Sequence, residues 1–390
     1  MEKKIILQPI DKSVNEFKMI TIKEAVTKAE IMDYVKFPFS LYKDNPYWVP
    51  PLISEEAEGF DKRKNPVFES ADAKFYLAYK DGKPAGRIAA IVNWDEVNQL
   101  QKRKVRFGWF DVIDDIEVTK ALLEKVYEFG RGYNLDHVEG PMGFSNLDKV
   151  GLLTEGYDQL GTMITWYNHP YYVSHLEQLG YVKEKEFIES IFSFNGVDPA
   201  PYIKAQALIE KRYGLTARNY TRTKDLMPRI DEMFDLFNAC YAELSSFVAI
   251  TENQKNFFKK KYINLINPEY IKFVDDSNGK MIAFTIVMPS LSKALQKAKG
   301  RLFPFGFIEL LKAKKKNKDV IFYLIGILPE YQNKGITAII FGEYYKTFEK
   351  YGVETCIRTP ELEENHSIHN LWKNFNPIIH KRRRTYTKKL

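Results

Sequence analysis

Residues 321–337 read Ile321-Phe-Tyr-Leu-Ile-Gly-Ile-Leu328, followed by Pro329-Glu-Tyr-Gln-Asn-Lys-Gly-Ile-Thr337. The first part is an apolar run of eight residues, which predicts a buried central strand. After the second part, apolar and aromatic residues recur at i+3 and i+4 spacing, which predicts a helix with one face in the core. The stretch therefore predicts a buried strand, a short polar loop and a helix, in that order.

Gly335 predicts that the loop binds an anion. A glycine at the start of a helix lets the backbone approach an anion closely. The unpaired N–H groups of the first helical turn and the helix dipole then bind it. Lys334 adds a positive charge beside them. The alternative is an ordinary strand-to-helix turn whose glycine only caps the helix.

The loop resembles a known cofactor-binding motif. In the Gcn5-related N-acetyltransferase (GNAT) superfamily, the acetyl-CoA-binding motif is Gln/Arg-x-x-Gly-x-Gly/Ala after the fourth strand, and Gln332, Gly335 and Thr337 occupy its three positions here. Thr337 departs from the Gly/Ala of the motif. The resemblance extends from about residue 215 to 388 and implies a CoA-dependent N-acyltransferase. It implies that the CoA diphosphate is held by Gln332, Asn333, Lys334, Gly335, Ile336 and Thr337.

The resemblance also implies where the pantetheine arm of CoA lies. In the family, a bulge separates the fourth strand from the fifth, and pantetheine pairs with the freed edge. The matching residues here are Ile325, Gly326, Ile327 and Leu328. Gly326 is the expected bulge, and Asn365 is expected beside the arm. A backbone N–H near Ile327 or Leu328 is expected to stabilise the oxyanion.

The groups that would transfer protons are less clearly marked. The family often uses a Tyr in the helix after the fifth strand, but residues 365–375 contain none. This acid is expected from Tyr323 or Tyr386, or it is absent. Candidate general bases, each weighed against a role as a solvated surface carboxylate, are Glu243, Glu354 and Glu361.

The predicted order of elements, β-α-α-β-β-β-α-β-α-β, occurs twice in stretches of roughly 180 residues. We therefore expect an α+β (α/β three-layer) protein of two tandem acyl-CoA N-acyltransferase-like domains, each a mixed twisted sheet flanked by helices. The expected bounds are a lead-in at 1–18, a first domain at 19–195, a linker at 196–214 and a second domain at 215–390.

The first half lacks the sequence features of the anion-binding loop. At the matching position it has no glycine and carries four acids, which are Asp111, Asp114, Asp115 and Glu117. Acids at a helix start stabilise the helix but repel a phosphate. We expect that the first half does not bind CoA and is structural or forms a wall of the acceptor site. The Gly- and aromatic-rich segment 139–172 fits a substrate cleft between the halves and a packed interdomain surface equally well.

Composition excludes several classes of protein. The 390 residues are 45% hydrophobic and 28% charged, as in a globular protein. No apolar run approaches the roughly 18 residues that span a bilayer, and no signal peptide is recognisable. Cys240 and Cys356 cannot form a disulfide framework or a zinc site, and the helical pair His366 and His369 lacks a third ligand. We expect a cytoplasmic protein without a metal.

The net charge of +7 is concentrated in segment 290–319 and in the tail 380–390, which predicts attraction to anions. Segment 290–319, here called the insertion, has an apolar aromatic centre and basic flanks. We expect that it contacts the inner membrane face or an acyl carrier protein, or covers a long acyl chain. The alternative is that it packs onto its own domain through Leu291, Leu295, Phe303, Phe305, Phe307 and Leu310.

Three functional hypotheses follow. The first is an N-acyltransferase that transfers an acetyl or longer acyl group from CoA to a small-molecule or lipid amine. A long-chain lipid N-acyltransferase of the ceramide-synthase type is one variant, by fold-level analogy. The second is a non-catalytic acyl-CoA-binding or membrane-associated protein, because the family's Tyr is missing. The third is nucleic-acid binding through the basic tail, but no nucleic-acid partner is expected because such charge usually marks a solvated face.

Overall fold

The computed structural model of the chain describes residues 19–145, 147–242, 247–263 and 266–390. The predicted lead-in at 1–18 lies outside these residues. The strands are β1 (Ile20–Glu24), β2 (Ala71–Lys80), β3 (Lys83–Asn93), β4 (Lys104–Val112), β5 (His137–Gly140), β6 (Leu152–Glu155), β7 (Val182–Ser193), β8 (Thr216–Asn219), β9 (Ile271–Asp275), β10 (Met281–Pro289), β11 (Asp319–Ile327), β12 (Thr355–Arg358), β13 (Glu361–Leu362) and β14 (Ile378–Lys389). The helices are α1 (Lys28–Leu41), α2 (Ile53–Gly59), α3 (Trp94–Asn98), α4 (Ile116–Gly132), α5 (Tyr171–Gln178), α6 (Ala200–Tyr213), α7 (Thr223–Leu226), α8 (Ile230–Tyr241), α9 (Glu252–Tyr262), α10 (Ser292–Ala298), α11 (Gly306–Lys315), α12 (Ile336–Tyr351) and α13 (His366–Trp372).

The two halves of the chain share one continuous sheet. Its strand order is β1-β2-β3-β4-β5-β14-β7-β12-β11-β10-β9-β8, with β6 beside β14 and β13 beside β7. Each half contains one parallel pair joined by a helical crossover. These are β4 and β5, joined by α4, and β11 and β12, joined by α12. The duplication of the element order is therefore also a duplication of the architecture.

The two strands at the centre of the sheet are exchanged between the halves. The last strand of the chain, β14, pairs with β5 of the first half, where Tyr386 lies opposite Gly140. The last strand of the first half, β7, pairs with β12 of the second half, where Phe192 lies opposite Cys356. β7 and β14 also pair with each other. The halves therefore cannot separate without breaking the central ladder.

Buried charges join the two exchanged strands. Glu189 of β7 accepts a hydrogen bond from Arg383 of β14, and Lys381 lies 3.7 Å away; all three side chains are about 1% exposed. Burial by itself would raise the pKa of Glu189, but the charges of Arg383 and Lys381 outweigh burial and lower it. The cluster is stable only when it holds both the negative charge of Glu189 and the positive charges of Arg383 and Lys381, because an uncompensated buried charge costs free energy.

The same pairing changes the interpretation of the basic tail. Arg382 forms an ion pair with Glu363 at 2.6 Å, and Arg384 forms one with Glu186 at 2.8 Å. Together with Arg383, these arginines are paired with carboxylates on β7 or directly after β13. The prediction of an anion-attracting cluster is therefore wrong for this stretch of the tail, and the feature that suggested nucleic-acid binding is neutralised within the fold.

The segment predicted to be a linker, 196–214, contains α6 (Ala200–Tyr213), which packs along α12. A Cβ on Gly342 would lie 2.2 Å from Oε1 of Gln206 on α6. The Gln206 amide donates to Glu343 on α12 at 2.8 Å. α6 therefore covers the helix that follows the candidate anion-binding loop. None of the helices in the described ranges is long and apolar enough to cross a membrane.

Candidate functional site

The strands β11 and β12 diverge halfway along β11. They are paired only from Asp319 opposite Thr355 to Phe322 opposite Arg358, and β11 then continues from residue 323 to 327 without β12 beside it. On its other side, β11 stays paired with β10. The result is a gap in the sheet with one free strand edge, here called the β11 edge.

An extra residue in β11 accounts for this gap. Leu324 lies opposite Ile286 and Phe322 lies opposite Val287, so Tyr323 has no partner residue on β10. A bulge of this kind bends its strand and increases the local twist. The prediction that Gly326 is the bulge is wrong. Gly326 is in register with Phe284, and a Cβ there would lie 2.3 Å from the Phe284 ring, so close packing requires the glycine.

The register shows which amides face the gap. Ile325 lies opposite Thr285 and Ile327 lies opposite Ala283, while the Leu328 N–H donates to the Ile282 carbonyl at 3.0 Å. Because hydrogen-bonded and non-hydrogen-bonded pairs alternate in an antiparallel ladder, the N–H groups of Ile325 and Ile327 point toward the β11 edge. Of the two predicted oxyanion donors, the Leu328 amide is thus already engaged, and the Ile327 amide has no acceptor among the described residues.

Two side chains donate hydrogen bonds to backbone carbonyls of the β11 edge. The Tyr241 hydroxyl, at the end of α8, donates to the Ile325 carbonyl at 3.0 Å, and the Gln332 amide donates to the Ile327 carbonyl at 3.3 Å. The acceptors of the β11 edge are therefore satisfied within the described structure. The edge presents donors, which a ligand with carbonyl oxygens could satisfy.

The loop before α12 forms a concave set of amides at the end of the β11 edge. Asn333 and Gly335 have positive φ angles of 62° and 78°, and Gly335 is the N-cap of α12 without a side-chain cap. The amides of Asn333, Gly335 and Thr337 donate to no acceptor in the described part of the chain. Successive amides of this kind, at a helix start, are a binding site for phosphate.

Gly335 is required at this position for two reasons. Its φ of +78° disfavours residues with a side chain, and a Cβ would lie 2.5 Å from Cδ1 of Ile209 on α6. Lys334 is held over two aromatic rings, at 4.7 Å from the centre of Tyr331 and 5.7 Å from that of Tyr213. The Ile336 side chain is buried in the core, so only the amides of this turn are at the loop mouth.

Two phenols lie beside the gap. The Tyr323 hydroxyl donates at 3.2 Å to the Leu147 carbonyl, which belongs to the predicted cleft segment 139–172 of the first half. Burial raises the pKa of Tyr323 and of Tyr241, so both keep their protons at neutral pH. Tyr323 is among the site residues predicted from the sequence, whereas Tyr241 is not. The available signal was its aromatic spacing from Phe237, against which its ring stacks at 4.4 Å.

Of the other predicted groups, Tyr386, Glu354 and Glu361 lie in the described residues, and none of them is a free catalytic group at the gap. Tyr386 is 1% exposed and packs in the core of the first half. Glu354 forms an ion pair with Lys318 at 2.5 Å, and Glu361 is paired with Arg358. Glu243 lies outside the described residues.

Asn365 and His369 form hydrogen bonds within the fold. The Asn365 side chain accepts from the Ile368 N–H at 3.3 Å and caps α13. His369 Nε2 lies 2.9 Å from the Leu362 carbonyl. Both cysteines are free thiols, and burial raises the pKa of Cys240 to about 12. Within the described ranges, no group of three His, Cys, Asp or Glu side chains could hold a metal ion.

The first half keeps the divergence of its strands but fills it. β4 and β5 are paired only from Lys104 to Arg106, and Trp109 of β4 has a φ of +44°. The chain after β5 turns back into the opening, where the Met142 N–H donates to the Phe107 carbonyl at 2.8 Å. A Cβ on Gly108 would lie 2.4 Å from the Met142 carbonyl oxygen.

The acids of the first half also have structural roles. Asp115 caps α4 by accepting from the Glu117 N–H at 3.0 Å. Asp111 is buried and forms an ion pair with Arg87 at 2.7 Å. In this half, a diphosphate would therefore face the carboxylate that caps α4, and the opening between β4 and β5 is already filled by the chain. The first half is thus the degenerate one.

A splayed parallel pair beside an amide-lined helix start, present in one half and filled in the other, defines a tandem GNAT fold. A tandem GNAT protein from the clavulanic acid biosynthesis pathway superposes with a TM-score of 0.58 over 95% of this chain and 98% of its own, at 9% identity. The predicted fold is confirmed.

Two curated relatives match nearly the whole chain. Protein YghO of Escherichia coli (strain K12) is 25% identical over 375 residues, which are 95% of this chain and 95% of that protein. A bacterial ceramide synthase of Caulobacter vibrioides is 25% identical over 336 residues, 83% of this chain and 84% of that protein. No family model matches the chain.

Proposed function

We propose that this protein is an acyltransferase that moves an acyl group from a CoA thioester to an amine, with the thioester bound by the second half. The observation that carries the proposal is the β11 edge, which ends at the amide-lined loop of α12. The amides of Asn333, Gly335 and Thr337 would bind the diphosphate. The amide of Ile327 would pair with a carbonyl oxygen of the pantetheine arm.

This proposal implies a position for the reacting carbonyl. With the diphosphate at the α12 loop, the arm runs back along β11 toward Tyr323, where β12 rejoins the sheet. The Ile325 amide, which is nearer to Tyr323 than the Ile327 amide is, then becomes the donor to the thioester oxygen. A backbone N–H aimed at an oxygen that becomes negative is a common source of rate enhancement.

The proton transfers must balance around that carbonyl. The acceptor amine attacks as the neutral base and forms the new C–N bond, the C–S bond breaks, and the amine loses a proton. The departing thiolate takes a proton, and Tyr323 is protonated at neutral pH and lies beside the gap. Glu243 stays a prediction for the group that accepts the proton of the amine.

The first test is ligand-dependent stability. A thermal-shift titration of the full chain with CoA and with acyl-CoAs of rising length is expected to raise its melting temperature. A ligand at about 100 times its Kd stabilises by about 2.7 kcal/mol. The Gly335→Glu and Lys334→Glu variants should lose the shift, since each replaces an anion-binding feature by a carboxylate.

A matched control separates charge at the loop from charge elsewhere. Gly59 has a negative φ and open space around its Cα, so Gly59→Glu adds the same side chain without a clash. This control should keep the wild-type shift. The proposal fails if no acyl-CoA shifts the wild type, or if Gly335→Glu and Lys334→Glu behave like the control.

A second candidate concerns the acceptor and the acyl length. The relative named as a bacterial ceramide synthase favours a long acyl chain and a lipid amine. Mass spectrometry of reactions that contain acetyl-CoA or a long-chain acyl-CoA, each with a panel of small-molecule and lipid amines, would distinguish the two. Binding of CoA without any product across this panel would favour the non-catalytic acyl-CoA-binding protein instead.

A further inference from the structure

The insertion, 290–319, has one anchored side and one exposed side. Leu291, Leu295 and Leu310 are buried, and they pack with Val49 and Leu52 of the first half. The expectation that these three leucines pack is therefore correct. The partners, however, include the first half of the chain as well as the insertion itself.

The three phenylalanines do not pack as that alternative required. Phe303 is 76% exposed, Phe305 72% and Phe307 39%. Ile308 and Leu311 are also exposed and follow on the outer side of α11, whereas Leu310 faces the core. These residues, here called the aromatic tip, are Phe303, Phe305, Phe307, Ile308 and Leu311.

Unpaired positive charge surrounds the aromatic tip. The insertion has nine basic and two acidic residues. Lys299, Arg301, Lys315 and Lys316 are exposed and form no ion pair with any residue of the described ranges. A patch of adjacent exposed aromatic side chains with a basic border is uncommon on a protein surface that faces only water.

We infer that the aromatic tip docks on the surface of an anionic lipid bilayer. The rings of Phe303 and Phe305 would enter the interface between headgroups and acyl chains, while the lysines and Arg301 would face lipid phosphates. Charge complementarity favours this occupant over a neutral membrane. The outward projection of the two most exposed rings favours a bilayer over an acidic protein partner. An acidic protein would bind the lysines and would give the rings no apolar environment.

The location of the tip adds a functional consequence, which rests on the proposed function. The insertion enters β11 at Asp319, while the α12 loop follows the opposite end of this strand. If the diphosphate is held at the α12 loop, the acceptor approaches Tyr323 from the side of the insertion. Docking would therefore place the acceptor entrance at the bilayer, as a membrane-borne amine requires.

Vesicle co-sedimentation of the full chain tests the inference. We expect binding to phosphatidylcholine vesicles that contain phosphatidylglycerol and much weaker binding to phosphatidylcholine alone. The double variant Phe303→Ser/Phe305→Ser should lower the partition coefficient about tenfold or more, because neither serine can replace the apolar area that the two rings would bury in the interface. Lys315→Glu/Lys316→Glu should reduce binding to the anionic vesicles and its dependence on salt.

Matched controls use exposed residues elsewhere. Val26→Ser/Val182→Ser removes two apolar side chains that are 73% and 62% exposed, and Lys120→Glu/Lys280→Glu reverses two exposed lysines. Both controls should bind vesicles like the wild type. All variants should keep the wild-type melting temperature and its shift with CoA, because none touches the core or the α12 loop.

Three results would overturn the inference. The first is no binding to anionic vesicles. The second is equal binding by tip variants and controls. The third is that the wild type binds no vesicles but binds an acidic acyl carrier protein or forms a dimer, and that the tip variants lose this binding or this dimer. Vesicle binding that persists in a protein that binds no CoA would refute only the proposed function.

Discussion

Replacing Glu189 by Gln tests the exchange of the central strands. The substitution leaves the size of the side chain nearly unchanged and removes its charge. It leaves Arg383 and Lys381 buried at about 1% exposure with no carboxylate, although each keeps a bond to a backbone carbonyl. Removal of one partner from a buried ion pair costs about 3–5 kcal/mol, since the other charge is left without compensation.

Glu363→Gln is the matched control in the same sheet. Glu363 pairs with Arg382, the neighbour of Arg383, but the two side chains are 48% and 26% exposed. Water screens such a pair, and its loss is expected to cost about 0–1 kcal/mol. The two substitutions therefore remove the same charge from the partners of two neighbouring β14 arginines and differ mainly in burial.

The assay is urea denaturation followed by circular dichroism and by tryptophan fluorescence. The free energy of unfolding should fall by about 3–5 kcal/mol in Glu189→Gln and by no more than about 1 kcal/mol in Glu363→Gln. Because β7 and β14 belong to both halves of the sheet, both probes should report one transition. Equal losses in the two variants, or two separate transitions in the wild type, would refute the reasoning.

Three further predictions concern the site and the response to pH. Tyr323→Phe should lower kcat at least about a hundredfold with an unchanged KM for acyl-CoA in steady-state assays, whereas Tyr241→Phe, which only orders a carbonyl, should lower kcat less than about tenfold. Gly335→Ala should lower the free energy of unfolding by about 2 kcal/mol or more in thermal denaturation, because residue 335 has a positive φ and a Cβ there would contact Ile209. Adding Ile209→Ala should restore only the stability that the contact with Ile209 costs. Burial lowers the pKa of His380 to about 4 from its ordinary 6.5, so the unfolded chain binds more protons between these values and stability falls by up to about 3 kcal/mol as pH drops from 6.5 to 4. His380→Gln should flatten that part of a pH-stability profile, and an unchanged profile would contradict the assigned environment.

Much of the fold could be predicted because its signals are local. The apolar run 321–328, the helix 336–351 and the glycine between them all lie where the structure has β11, the α12 loop and α12. The acids after β4 indicate a helix start, and Asp115 caps α4. Side-chain periodicity and capping depend on neighbours within a few residues, so they can be recognised without a structure.

The details of the site depended on partner strands. Tyr323 is the bulge because of its register against β10, and no feature of the β11 sequence alone distinguishes it from Gly326. Tyr241 reaches the Ile325 carbonyl from a helix 84 residues away in the chain. Such contacts become visible only when both elements are placed in space.

The amino-acid sequence by itself determined the element order, the duplication and the glycine-containing loop before α12. Only the tertiary structure decided that β7 and β14 change places, that the tail arginines are neutralised by carboxylates, and that the phenylalanines of the insertion stay exposed. The physical reason is that the alternation of apolar and polar side chains shows that a segment is a strand but does not show which strand it pairs with. The choice of partner follows from the burial and charge of residues that are up to about two hundred positions apart in the chain.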